Sequence, residues 1–330
     1  MQYRKFGSTD LIVSEIGFGA WAIGGNAVVG GTPIGWGKAD DKTSQQAIRA
    51  AMDAGINFFD TADIYGLGHS ENLLGEELKK LKDIFIATKV GNIARNDQFT
   101  IDYSKKYIVE ACERSLRRLQ RDVIDYYQLH SARLSHLQNG ECTEAMELLR
   151  DQGKIRYWGL SLNTFNPPPE ANFLMDNNLA DGFQLVFNLI NQRAYDIIKT
   201  GGEKNYGIIV RMPLQFGLLT GKFSSSTTFS PDDHRSFRLT QNVLQQTLQF
   251  LEDKVWPVAE KEKLTKTALA LSFILTCPQA STVIPGIRTK EHVSQNTSGV
   301  RKLSDKNFSY LLSLANKELE PIVELLENTG

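Results

Sequence analysis

The sequence predicts a (β/α)₈ (TIM) barrel, preceded by a β-hairpin and carrying long loops at its C-terminal face. Three observations support this. Six apolar stretches, NFFD, IFIATK, VIDYYQLH, YWGLS, DGFQ and GIIVR, each end on a polar residue: Asp60, Lys89, His130, Ser161, Gln184 and Arg211. The gaps between those residues are 29, 41, 31, 23 and 27, each about the size of one strand-helix-strand unit. The length of 330 residues suits one large barrel, and no linker divides it, so residues 1–330 read as a single domain. In such a barrel the carboxyl ends of the strands converge on one face, which brings Asp60 and Arg211 into one pocket.

The elements follow in order. Residues 2–6 and 11–13 flank the turn signal GSTD and form the hairpin. SEIGFG is the first barrel strand. The glycine-rich stretch 24–41 has no period and reads as a long loop. A helix from Lys42 to Ala54 places Ala47, Ile48, Ala51 and Met52 on one side. Strand and helix then alternate through 57–89, 104–130, 141–161 and 167–187, and GIIVR is strand seven. A second long loop, 222–240, precedes helical sequence from about Asn242 to Lys263. STVIPG is strand eight, and helices close the chain. Both long loops follow barrel strands on the face of the six polar residues, the place for a lid.

Composition removes several classes of function. A net charge of −1 gives no basis for binding nucleic acid or an acidic membrane. No apolar run approaches membrane-spanning length, and MQYRKFGSTD lacks the apolar centre of a signal peptide. Cys112, Cys142 and Cys277 are an odd, widely spaced set without CxxC, as expected of reduced thiols in a cytoplasmic protein. The five histidines lack metal-ligand spacing, so no metal is expected. Gly17-Phe18-Gly19-Ala20-Trp21-Ala22 fits a loose dinucleotide fingerprint but opens the glycine-rich loop and not a helix. Gly159-Leu160-Ser161-Leu162-Asn163 lacks the final glycine of a nucleophile elbow.

Asp60, Tyr65, Lys89 and His130 make chemical sense as one device. A carbonyl that receives a hydride becomes an alkoxide and needs a proton donor beside the oxygen. A lysine ammonium about 4 Å from a tyrosine favours the phenolate by up to roughly 4 kcal/mol at an effective dielectric near 20. A carboxylate beside that lysine favours its charged form, and a histidine on the next strand can orient the carbonyl oxygen. Each residue alone suits an ordinary structural role; their occurrence at successive strand ends is what favours chemistry.

At these residues the chain resembles the aldo-keto reductases. FFDTADIYGLGHSENLLGEEL, IATK and YYQLH match that family's aspartate–tyrosine, lysine and histidine segments, and GLSLNTF, QLVFN, PLQFGLLTGKF and VIPGIRTKEHVSQN follow in the family's order. The resemblance runs from about Tyr3 to Asn296. It implies Tyr65 as general acid, with Lys89, Asp60 and His130 in support. It also implies NADP(H) lying extended across the barrel mouth without a Rossmann domain. Ala20, Trp21, Asp60, Ser161, Gln184 and Arg211 would meet the nicotinamide end, with Ser161 and Gln184 on its carboxamide. Pro213, Leu214, Gly217, Leu218, Gly221 and Lys222 would line the pyrophosphate. Gly286, Ile287, Arg288, His292, Gln295 and Asn296 would take the outer end. There Arg288, Lys290 and His292 stand beside a short helix begun by Thr289 or Lys290, a setting suited to a 2′-phosphate.

The chain departs from the family pattern in places. Ser161 is followed by Leu162, with the expected Asn one place later at 163, and Arg133 replaces a common aspartate. Arg211 stands where many members stack an aromatic on the nicotinamide. Its planar guanidinium either lies against that ring or pairs with a carboxylate of the 222–240 loop. The substrate pocket is expected from loops 21–41, 133–140 and 222–240, with Trp21, Trp36, Tyr65 and His130 as its walls. The leading function is NADPH-dependent reduction of a small-molecule aldehyde or ketone. Its competitors are a cofactor-binding regulatory protein with slow turnover, like the potassium-channel β-subunits that resemble this family, and a sugar or polyol dehydrogenase working oxidatively.

Overall fold

A computed structural model describes residues 1–329, and of 316 and 317 only the backbone. The chain begins with strands β1 (Tyr3–Lys5) and β2 (Ile12–Ser14), an antiparallel hairpin in the register Tyr3–Ser14. The barrel strands are β3 (Phe18–Gly19), β6 (Phe58–Asp60), β7 (Phe85–Val90), β10 (Ile124–His130), β11 (Ile155–Ser161), β12 (Gly182–Val186), β13 (Gly207–Arg211) and β14 (Thr282–Ile284). They lie side by side in chain order, every neighbouring pair parallel. Bridges from Ile16 to Val283 and from Gly19 to Gly286 join the last strand to the first. The (β/α)₈ barrel is therefore present, with the hairpin in front of it. Among the described residues no helix is long and apolar enough to cross a membrane.

The barrel is filled in layers. Phe6, Leu11 and Val13 of the hairpin enter the amino-terminal end and pack on Phe58, Ala87, Tyr126, Ile209 and Ile284, closing it as an apolar floor. Above the floor the inward side chains turn polar: Asp60, Lys89, Gln128 and Gln184 are all buried. A separate, larger apolar cluster fills the space between the barrel and its helices. Small residues permit this filling. A Cβ on Gly159 would stand 1.7 Å from the Tyr126 hydroxyl oxygen and 2.3 Å from the Gly182 carbonyl oxygen. Gly159→Ala should therefore lower stability by about 1–3 kcal/mol, the usual cost of overpacking. Urea unfolding measures it, and an unchanged midpoint would show that Tyr126 has room to move.

Several local expectations need correction. SEIGFG supplies only a two-residue strand, β3, and the Gly17 and Gly19 N–H groups donate to the Val283 and Pro285 carbonyls at the seam. Residues 20–24 form one 3₁₀ turn, and the glycine-rich loop contains a small hairpin, β4 (Val28–Val29) and β5 (Thr32–Pro33). Gly30 and Gly31 turn it with φ of 57° and 75°. A second unforeseen hairpin, β8 (Asn92–Arg95) and β9 (Gln98–Ile101), turns on Asn96 and Asp97, also left-handed. The helix expected from Asn242 to Lys263 is two helices, Gln241–Phe250 and Trp256–Glu262, joined by a π turn just before Pro257. Residues 134–139 are a helix and not a pocket loop. The first long helix, Asp41–Asp53, is capped by Asp40, whose side chain accepts from the Thr43 N–H.

Candidate active site

Register brings the strand-end residues together. His130 lies opposite Ser161, and Ser161 opposite Gln184, on three successive strands. Gly19 faces Asp60, and Arg211 faces both Val186 and Ile284. Tyr65 comes from the turn after β6. Gly66 (φ 59°) and Leu67 (φ 54°) are left-handed there, and a Cβ on Gly66 would stand 2.1 Å from the Gly24 carbonyl oxygen. The close approach locks the tyrosine turn against the 20–24 turn. A relay from Thr61 to the Ser70 hydroxyl and on to the Ala20 carbonyl ties the same two segments.

At the base of the pocket Lys89 Nζ donates to Asp60 Oδ1 at 2.5 Å and to the Thr61 carbonyl at 2.8 Å, and it lies 3.5 Å from the Tyr65 hydroxyl. The other carboxylate oxygen accepts from Gln128 Nε2 at 3.0 Å and from Gln184 Nε2 at 2.7 Å. A carboxylate only accepts, so the Gln184 amide must present its NH₂ to Asp60, leaving its carbonyl oxygen as an acceptor for a ligand. The quartet of Asp60, Tyr65, Lys89 and His130 is thus one cluster. Gln128 belongs to it and escaped the sequence reading. It sits two residues before His130, so period two puts both on the inner face of β10, and a glutamine inside an apolar strand was the available signal.

Electrostatics differ from the simple expectation for tyrosine. Burial raises the Tyr65 hydroxyl above its ordinary 10; the Lys89 ammonium opposes this but does not outweigh it, while Asp60 adds to the rise and Arg211 lowers it. His130 is held well below 6.5 by burial and by the Lys89 and Arg211 charges, so it is neutral at working pH. Its ring stands edge-on to Tyr65 at 6.0 Å, with Nδ1 buried and without a partner among the described residues.

Above this base opens a cavity of about 1060 Å³, larger than most small-ligand pockets. Its walls include Ala20, Trp21, Trp36, Asp60, Tyr65, His130, Ser161, Gln184, Arg211, Pro213, Leu214, Gly217, Lys222, Gly286, Arg288, His292, Gln295 and Asn296. Lys89 lies beneath the wall. The side chains of Leu218 and Ile287 turn into the core, and Gly221 abuts Lys266, so none of these three forms wall. The expected 133–140 contribution is absent from this cavity. Leu137 of that helix is buried, the Leu134 N–H binds Glu170, and Asn92 and Phe99 of the second hairpin line the cavity instead.

The two long loops clasp over the cavity. Trp36 bridges Asp233, His234 Nδ1 donates to the Gly35 carbonyl at 3.1 Å, and Trp21 Nε1 donates to the Ile34 carbonyl at 2.9 Å. Trp21 stacks on Tyr65 at 5.8 Å, and His234 lies 4.7 Å from Trp21 and 4.5 Å from Trp36. Burial pushes His234 down to about 4, which keeps this aromatic roof uncharged in its histidine.

At the far end Thr289 caps the helix Lys290–Thr297. Arg288 reaches the Trp36 carbonyl, and Lys222 Nζ binds Gln295 Oε1 at 3.0 Å. Lys290 is exposed and outside the cavity, and His292 is held below 6.5 by burial and by Lys222 and Arg288. The cations here are therefore Arg288 and Lys222, not the three expected. Asn296 Nδ2 is buried with no partner among the described residues. Arg211 NH2 donates to the Leu162 carbonyl at 3.2 Å and the Thr164 hydroxyl at 3.0 Å, so the alternative of a carboxylate partner is not what its bonds show. No group of three or more histidine, cysteine or acidic residues able to hold a metal occurs among the described residues.

The barrel is thus closed at one end by a hairpin and carries Asp60, Tyr65, Lys89 and His130 at the other. The chain belongs to the aldo/keto reductase family, which residues 15–316 match. It is 34% identical over 311 residues to the aldo-keto reductase YhdN of Bacillus subtilis (87% of this chain, 85% of the other). It is 29% identical over 326 residues to the uncharacterized oxidoreductase YqkF of the same organism (97% and 98%). The aldo-keto reductase AKR11C1 from Bacillus halodurans in its holo form superposes with a TM-score of 0.78 at 26% identity, covering 97% of this chain and all (100%) of that one. The apo form of that enzyme gives 0.70.

Proposed function

We propose that the protein reduces aldehydes or ketones to alcohols with NADPH, Tyr65 being the general acid. The observation that carries this reading is the Tyr65 hydroxyl 3.5 Å from a Lys89 ammonium already fixed by Asp60. The chain superposes better on the holo than on the apo form of AKR11C1, which supports a fold arranged as in the ligand-bound form. Ser161 and the free carbonyl of Gln184 would hold the carboxamide, the 213–222 segment the pyrophosphate, Arg288 with Lys222 the 2′-phosphate, and Asn296 the adenine. The reduced nicotinamide supplies the hydride. Tyr65 gives its proton to the developing alkoxide, neutral His130 orients the carbonyl oxygen, and the Trp21–Trp36 roof excludes water.

A phenol held above 10 remains in its acid form through the neutral range, as a donor must. Reduction is therefore lost only as pH rises through the Tyr65 value. The kcat/KM profile for reduction should be flat from 6.5 to 10 and fall above it, because His130 titrates below that window. A break near neutrality would assign the proton to another group.

Arg288→Ala should weaken NADPH more than NADH, and the gap should narrow as salt rises. Equal loss for both would make Arg288 a brace of the Trp36 loop. Reduction itself is tested with NADPH deuterated at both C4 positions, which should yield an alcohol carrying one deuterium on the carbinol carbon. An alcohol without deuterium would contradict direct hydride transfer.

A further inference from the structure

Charges at the reacting end of the cavity do not cancel. Lys89 is matched by Asp60 at 2.5 Å, and Arg235 in the roof by Asp233 at 3.0 and 3.1 Å. Arg211 has only neutral partners among the described residues: the Leu162 carbonyl, the Thr164 hydroxyl and, at 3.2 Å, the Met212 sulfur. Its Nε is buried and unpartnered. An arginine so placed is normally paired with an acid; among the described residues no carboxylate bonds to it, and the nearby Asp60 carboxylate is already bonded by Lys89.

The acceptors also say where the charge sits. Leu162 and Thr164 follow Ser161 directly at the end of β11, so the guanidinium is pinned beside the strand end assigned to the carboxamide. Both Arg211 and Ser161 line the cavity. Its charge is felt across the site, lowering both Tyr65 and His130. Three neutral contacts hold the planar group in place, and arginine stays protonated when buried.

We propose that Arg211 sets the redox preference of the bound cofactor, by repelling the cationic ring of the oxidised form while leaving the neutral reduced ring unpenalised. This rests on the reading of the cavity as a nicotinamide site. Its consequence lies in binding: the reduced form is retained and the oxidised product leaves readily, so release of the oxidised cofactor is hastened while the bound reduced ring becomes the weaker hydride donor. A tenfold bias corresponds to about 1.4 kcal/mol, well within the repulsion of two unit charges several ångströms apart in a half-buried site.

The test is the ratio of dissociation constants, NADP⁺ over NADPH, by calorimetry or fluorescence at fixed ionic strength. It is measured for the wild type, Arg211→Met and Arg211→Lys, each checked for an unchanged thermal midpoint. The Met variant should lower the ratio about tenfold or more, chiefly by tightening NADP⁺, while the Lys variant keeps most of the wild-type ratio. An unchanged ratio with both affinities reduced together would overturn the proposal and leave Arg211 a brace for the 162–164 segment. A Lys variant that behaves like Met would overturn it too, since charge would not be the cause. If the wild type binds neither dinucleotide, the cofactor reading itself falls, a result distinct from an unchanged ratio.

Discussion

Tyr65→Phe should keep the fold and NADPH affinity and lose carbonyl reduction by at least about a hundredfold, the usual contribution of a positioned acid. The substitution removes one hydroxyl. The ring keeps its stack on Trp21 at 5.8 Å, and the turn that carries it is set by Gly66 and Gly24, which are untouched. The Lys89–Asp60 pair below also survives, because Lys89 makes its shorter bonds to Asp60 and Thr61. Loss should therefore appear in kcat with cofactor binding unchanged, measured by steady-state kinetics beside an NADPH titration. Near wild-type turnover would show that another group donates the proton.

Lys89→Met should damage stability as well as activity. Lys89 is fully buried, and its removal leaves the Asp60 carboxyl in the barrel bonded only by the Gln128 and Gln184 amides, without its hydrogen-bonded cation. Breaking a buried ion pair from one side commonly costs about 3–5 kcal/mol. Chemical denaturation reads that cost. Adding Asp60→Asn to Lys89→Met should recover most of the stability, since the orphaned charge is gone, but none of the activity. A single Lys89→Met variant as stable as the parent would mean that Asp60 takes up a proton or water at little cost, and that the pair is not what holds the site.

The strand ends were legible because a parallel strand buried on both faces is mostly apolar, so the polar residues near its carboxyl end stand out. Asp60, His130, Ser161 and Arg211 end their strands, Lys89 stands one residue before the end of its strand, and Gln184 falls at the middle of Gly182–Val186. The loops were not legible, since their shapes come from partners distant in sequence. His234 finds the Gly35 carbonyl 199 residues away, and Arg288 finds the Trp36 carbonyl 252 residues away. No periodicity reports such contacts. The hairpins are an intermediate case: Gly30-Gly31 and Asn96-Asp97 are proper two-residue turn signals, but the flanking strands are too short to show alternation.

Tyrosine electrostatics failed for a different reason. The attraction of Lys89 for a phenolate can be guessed from residue types, whereas the burial that opposes it depends on the finished roof of Trp21, Trp36 and His234. The balance left Tyr65 raised above its ordinary value.

The central claim is that this site both holds NADPH and uses it. The most direct measurement follows NADPH oxidation with a panel of aldehydes, ketones and sugars while cofactor affinity is measured in parallel on the same preparation. NADPH should bind tighter than NADH, and at least one carbonyl class should turn over, a turnover that Tyr65→Phe abolishes. Tight NADPH binding with no turnover of any carbonyl in the panel would contradict the claim, and would make the protein a cofactor-binding regulator built on a reductase site.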